Sequence, residues 1–188
     1  MKRIEACKQI RLASSDKATI KLAETPILFR ETYNPKTYII VPSASSSRRC
    51  YVPLGFLDDT TISTNLNLII PNATLYHFAV LTSNVHMSWM RAVCGRLGMG
   101  YRYSKDIVYN NFPFVLPEDS SVAALPQNNG HVEYLSADRQ EGEASLFCTK
   151  EQASKIELTA QAILDARDIY PDASLADLYD EVTMPPEL

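Results

Sequence analysis

Leu66-Asn-Leu-Ile-Ile70, then Pro71-Asn72, then Ala73-Thr-Leu-Tyr-His-Phe78: across these residues the pattern of the chain changes from strand to helix. The first run is short, aliphatic and bounded by turn residues, as a strand should be. Pro71 and Asn72 break it. Beyond them Leu75, Phe78, Ala79, Met87, Met90 and Val93 suit one buried helical face, interrupted at Ser83-Asn84, with Gly95 and Gly98 expected to close the helix. Upstream, Thr37-Tyr-Ile-Ile-Val41 and Tyr51-Val-Pro-Leu-Gly-Phe56 repeat the strand signal, separated by Ser-, Arg- and Asp-rich turns. The pattern predicts an α+β fold in which a small, twisted, mainly antiparallel sheet is flanked by helices.

Residues 2–24 read as one or two helices, broken near Ser14-Ser15-Asp16, whose side-chain oxygens suit an N-cap, and ended by Pro26. On the other side of the sheet region, residues 117–148 hold Pro117, Pro126, Gly130 and Gly142 without a sustained period. A long irregular insertion or linker, with room for one hairpin, is expected there. Helix returns at the capping box Thr149-Lys-Glu-Gln152, continues through Ile156, Ala160, Ile163 and Arg167, and stops at Pro171. Ser174-Leu-Ala-Asp177 repeats the capping pattern for a shorter helix. Residues 149–188 thus read as a C-terminal helical appendage.

A sequence pI near 5.4 conceals a charge split. Residues 1–105 carry 14 Lys+Arg against 6 Asp+Glu, a balance of +8; residues 106–188 carry 4 against 16, a balance of −12. Cations with aromatics between them, as in Tyr101-Arg102-Tyr103-Ser104-Lys105, match what a phosphate backbone asks of a partner. No apolar run approaches the length of a membrane span, and Met1-Lys2-Arg3-Ile4-Glu5 lacks the apolar stretch of a signal peptide, so a cytoplasmic protein without a membrane partner is expected. Cys7, Cys50, Cys94 and Cys148 show neither zinc nor disulfide spacing and read as buried free thiols.

Catalytic constellations are missing. His77, His86 and His131 have no acidic or cysteine neighbour at ligand spacing, so no metal is assigned; a hydrogen-bonded core or boundary role is expected for His77 and His86. No phosphate-cradling glycine loop and no nucleophile elbow is present, and Cys94-Gly95-Arg96-Leu97-Gly98 reads as a helix C-cap. Asn110-Asn111-Phe112-Pro113-Phe114 superficially matches the Asn-Pro-Pro-Tyr/Phe loop with which amino-methyltransferases hold a flipped adenine, but its prolines are misplaced. It reads instead as an extended exit from the globular part. No catalytic and no cofactor-binding residue is assigned.

Several strings, read together, carry a resemblance. Ile40-Val-Pro42 with Ser45-Ser-Ser-Arg-Arg49, Tyr51-Val-Pro-Leu-Gly-Phe-Leu57, Ile70-Pro-Asn-Ala-Thr-Leu-Tyr-His-Phe78, Trp89-Met-Arg-Ala-Val-Cys-Gly-Arg-Leu97 and Tyr103-Ser-Lys-Asp-Ile-Val-Tyr-Asn-Asn-Phe-Pro113 are similar to the MmeI-like (type IIL) DNA methyltransferase and restriction-modification family. So are Ala160-Gln-Ala-Ile-Leu-Asp-Ala-Arg167, Tyr170-Pro-Asp-Ala-Ser-Leu-Ala-Asp-Leu-Tyr179 and Thr183-Met-Pro-Pro186. The resemblance implies that residues 1–116 are the C-terminal part of a DNA target recognition domain, and that 149–188 are a truncated C-terminal helical domain. It implies as partners duplex DNA and an upstream methyltransferase domain of the same polypeptide. S-adenosylmethionine would serve the parent enzyme, with no cofactor in this chain. Val115 to Cys148 is longer than the family's link, and the chain stops at Leu188 where the family continues, so a fragment or remnant is expected.

The resemblance places Ser45, Ser46, Ser47, Arg48 and Arg49, between two predicted strands, in a recognition domain; the alternatives are a solvated turn and a reader of base edges, for which Arg has the matching bidentate fork. Arg91, Arg96, Arg102 and Lys105 are candidates for phosphate contacts, at least two of the four being expected to make one, with Tyr103 among them; Arg91 lies in the helix and has a structural alternative. Trp89, Phe78 and Tyr76 are expected in the core. The acidic helix from Lys150 should pack its apolar stripe on protein, either this domain or the upstream one. A competing functional class is an interaction module whose basic face docks an acidic protein surface.

Overall fold

The computed structural model describes residues 2–29, 33–117 and 147–188. The chain divides into two compact units, Met1–Asn34 and Pro35–Leu188. The first is helical: α1 (Lys2–Leu12), α2 (Lys17–Lys21) and a 3-10 turn (Leu22–Glu24). Asp16 caps α2 as its position suggests, its carboxylate accepting from the backbone of Ala18 and Thr19. Arg11 binds the unit together by donating to the carbonyls of Leu22, Thr25 and Leu28.

In the second unit β1 (Thr37–Pro42) is the centre of a three-stranded antiparallel sheet, with β3 (Gly55–Asp58) and β4 (Asn67–Pro71) at its sides. Tyr38, Ile39 and Val41 are almost wholly buried, because β1 carries β-branched and aromatic residues along nearly its whole length and is covered on both faces, and Ile70 of β4 is buried beside Ile39. The strand expected from Tyr51 begins only at Gly55; Pro53 cannot donate to a ladder, and Val52 and Leu54 enter the core from irregular backbone. Asn72 adopts φ 54° and turns the chain out of β4, its N–H donating to Thr37 O. Two helices follow, α3 (Leu75–Thr82) and α4 (Asn84–Val93), divided at Ser83, which caps α4 by accepting from His86 N.

Gly95 and Gly98 do not close that helix. Cys94 ends it, and Gly95 opens a strand of a second antiparallel sheet of order β2 (Ala44–Ser45), β6 (Gly100–Arg102), β5 (Gly95–Leu97), with Gly98 in the turn that joins β5 to β6. Leu97 pairs with Gly100 across a two-residue turn, and Gly98 takes φ 59°, the left-handed conformation that tight hairpin turns require. A π-helical turn (Lys105–Tyr109) follows, and then the Asn110–Phe114 segment. This is no extended exit: Phe112 is buried, its ring 4.6 Å from His86 and 4.9 Å from Phe114.

A short parallel pair, β7 (Leu116–Pro117) and β8 (Phe147–Cys148), precedes α5 (Lys150–Asp168) and α6 (Leu175–Leu178). The insertion expected over 117–148, including His131, lies almost wholly outside the described residues. The Thr149 capping box forms, and α5 runs to Asp168. Its apolar stripe packs on this unit: Ala160 is fully buried, and Ile156, Ile163 and Leu164 pack on the same core as β1 and α3. The fold is α+β as expected, with the acidic carboxyl helix seated on the core. Tyr76 and Phe78 are buried and Trp89 partly so, as expected of core aromatics. Of the cysteines only Cys148 is buried; the other three are half-buried free thiols.

Candidate nucleic-acid interface

The second sheet collects the cations that the sequence scatters. Ala44 pairs with Arg102 and Ser45 with Tyr101, while Gly95 and Arg96 pair with Arg102 and Tyr101 from the other side. Arg96 is exposed, its guanidinium 4.3 Å above the Tyr101 ring, which holds the charge near the sheet without neutralising it. Arg102 is exposed on β6, and Lys105 is half-buried at the start of the π-helical turn. At the hairpin tip Leu97 and Met99 are exposed. Gly100 lies tight against β2: a Cβ there would lie 2.8 Å from Ser45 O.

Other expected interface residues have different duties. Tyr103 is 4% exposed and its hydroxyl lies 2.9 Å from His86 Nε2, so it belongs to the core and not to a phosphate-binding surface. Burial holds its hydroxyl well above the usual phenol range and pushes Tyr109 up as well. Burial also lowers His86 and His77 to about 4, so both are neutral; the Thr74 N–H donates to His77 Nδ1 at 3.0 Å. Ser45 is buried in β2. Arg91, though exposed, donates to Cys50 O and so ties α4 to the end of the Ser-Arg turn, the structural alternative that its helical position raised.

The turn itself, 46–50, is stitched to the carboxyl end of the chain. Arg49 N donates to Ser46 O and Arg48 N to Ser46 Oγ, which closes the turn on itself. Cys50 N donates to Tyr179 O at 3.2 Å, Glu181 N donates to Arg48 O at 3.1 Å, and Arg49 forms an antiparallel bridge with Asp180. The Arg48 guanidinium meets Asp180 Oδ1 at 3.1 Å, with the Arg side chain still 63% exposed. Arg49 Nε is buried without an acceptor among the described residues, whereas Ser47 is exposed. The exposed polar groups of this turn are therefore Ser47 and the free edge of Arg48. Tyr179, Asp180 and Glu181 carry no sequence signal for this task, because Arg48 and Asp180 lie 132 residues apart and a β-bridge is blind to side-chain type.

Among the described residues no group of three or more His, Cys, Asp or Glu could hold a metal ion, and no helix is long and apolar enough to cross a membrane. Residues 1–116 match the family described as the MmeI target recognition domain, and residues 148–188 match the MmeI C-terminal domain. A DNA methyltransferase A of Bacillus subtilis (strain 168) is 38% identical over 187 residues, which is 99% of this chain and 18% of that protein. The solved structure of the Type IIL restriction-modification enzyme MmeI in complex with DNA is 38% identical, with a TM-score of 0.77 over 100% of this chain and 21% of its own. The chain thus spans about a fifth of the length of the relatives it matches.

Proposed function

Since the chain belongs to the MmeI target recognition domain family, we propose that it reads duplex DNA for a larger polypeptide that transfers a methyl group from S-adenosylmethionine to adenine N6. The observation that carries this reading is the match of the whole chain to an enzyme solved in complex with DNA. The division of labour follows from chemistry. Phosphate contacts supply affinity and register, and base edges supply sequence choice. Arg96 and Arg102, exposed on one small sheet, and Lys105 close by in the chain suit the first task; Ser47 and the free edge of Arg48 suit the second. Methyl transfer, on a base taken out of the stack, belongs to the upstream domain, in a cytoplasmic enzyme.

The test is a titration of the 188-residue chain with short duplexes at several salt concentrations, followed by selection from randomised duplex. Affinity should fall with salt by a slope of about −0.9 per phosphate neutralised, and a preferred sequence should emerge. Salt-dependent binding without any preferred sequence would mark a general polyanion or acidic-protein surface instead. In the full polypeptide, Ser47→Glu should change the base accepted at one position of the methylated site while cofactor binding persists.

A further inference from the structure

We infer that Asp180 is a positioning residue for DNA recognition: by its ion pair with Arg48 and its bridge with Arg49, it sets the direction in which the 46–49 turn presents Ser47 and the free edge of Arg48. The inference rests on the DNA-reading function proposed above. Its physical basis is separate.

The polar and small residues between β2 and the Tyr51 segment have many conformations open to them, and ordering them requires contacts that outweigh the lost entropy. The contacts are concentrated on three consecutive residues of the carboxyl segment. Tyr179 O, Asp180 and Glu181 N engage Cys50, Arg48 and Arg49 between them. That segment is itself immobilised. Leu178 and Tyr179 are 4% and 3% exposed, and the Tyr179 hydroxyl accepts from Arg167 Nε at 2.9 Å, while the Arg167 guanidinium lies 5.0 Å from both the Phe78 and the Tyr179 ring centroids.

Asp180 is oriented as well as placed. Its Oδ1 accepts from Val182 N at 3.1 Å as well as from Arg48, so the carboxylate cannot swing away without breaking both bonds. An ion pair this exposed adds little to stability, so its main consequence is geometric. The carboxylate also repels phosphate. It thereby leaves the unpaired edge of the Arg48 guanidinium, and not the paired one, as the surface that a duplex can approach. The carboxyl segment thus acts on sequence choice without touching DNA.

The experiment uses the 188-residue chain with Asp180→Asn, Arg48→Gln and the double substitution. For each, thermal unfolding, the salt slope on one duplex, and the ratio of affinities for the selected and a scrambled duplex are measured. Asp180→Asn keeps the size of the side chain and removes its charge. The ratio is expected to fall about fivefold or more, the size of one weakened base contact, with unfolding and salt slope nearly unchanged. The double variant should discriminate no worse than Arg48→Gln alone, since both changes act through one pair. If the unsubstituted chain discriminates but Asp180→Asn discriminates equally well, the positioning role is overturned while the DNA-reading function stands. If the chain shows no preferred duplex at all, that function fails, and this inference with it. Should Asp180→Asn unfold early, Asp180→Glu, which keeps the charge but lengthens the arm by one methylene, is measured instead; a lowered ratio with unfolding unchanged supports the role, and a ratio equal to that of the unsubstituted chain overturns it.

Discussion

The described residues of the second unit form two three-stranded antiparallel sheets built to opposite ends. In β3-β1-β4 the strands carry Tyr38, Ile39, Val41, Ile69 and Ile70 into the core, and helices cover what the strands leave open. In β2-β6-β5 every residue of β5 is exposed, and β6 offers an arginine and a half-buried tyrosine. Backbone pairing is common to both, so pairing alone does not decide what a sheet is for. The difference lies in side chains: burial stabilises the first sheet, whereas the second is held by its ladder, by a tight glycine contact and by the packing of Tyr101 on the core, which leaves its arginines exposed.

The contrast breaks most severely where the first sheet is covered. Phe78 is fully buried, with its ring 5.5 Å from Phe56 of β3, so Phe78→Ala should lower stability by about 3–5 kcal/mol in urea unfolding, from the apolar area no longer buried and the cavity left behind. A smaller loss would mean that the packing around it collapses readily. The interior around α4 is sensitive to acid. His86 in the folded chain is held at about 4 against a usual 6.5, because burial disfavours the charged ring. A lowered histidine pKa means that the unfolded chain takes up the proton first. Stability is therefore complete above about pH 6.5 and declines as pH falls toward 4, by about 3 kcal/mol for this one group. Unfolding measured from pH 7 to 5 should show the decline, with a shallower slope in His86→Gln; an unchanged slope would assign the sensitivity elsewhere.

The second sheet responds differently. Gly100→Val should lower stability by about 1–3 kcal/mol, because its Cβ would sit 2.8 Å from Ser45 O and strands β2 and β6 would have to part. Duplex binding should weaken in parallel, whereas Gly95→Ala, whose nearest neighbour would be Arg102 Cβ at 3.8 Å, should cost much less. Arg96→Ala and Arg102→Ala should change stability least, by about 0.5 kcal/mol or less. Each should nevertheless reduce the salt slope of duplex binding by about 0.9 for every phosphate that is no longer neutralised, similarly for all sequences. Unaltered slopes would take this sheet out of the DNA footprint.

The two sheets were also unequally legible in the sequence. Thr37–Pro42 and Asn67–Pro71 announce themselves, since runs of Ile, Val and Tyr bounded by turn residues have few other uses. The strands β2, β5 and β6 are two or three residues long and contain no such run, and their glycines fit a helix cap equally well until the pairing partner is known. Tyr103 shows the same limit at a single residue. Between Arg102 and Lys105 it has the setting of a stacking aromatic, yet it is buried beside His86, and only that tertiary contact reveals which side it faces.

By itself the sequence determined the α+β class, the capped helices at Asp16, Thr149 and Ser174, the family resemblance and the concentration of positive charge before residue 106. These are local matters of period, capping geometry and composition. Tertiary structure alone decided that Arg96 and Arg102 share a sheet with Ser45, that Arg91 donates to Cys50 O, that Tyr103 is buried beside His86, and that Asp180 holds Arg48. Those outcomes rest on contacts between residues far apart in the chain, made by backbone groups and by charges whose local sequence is compatible with either partner or solvent.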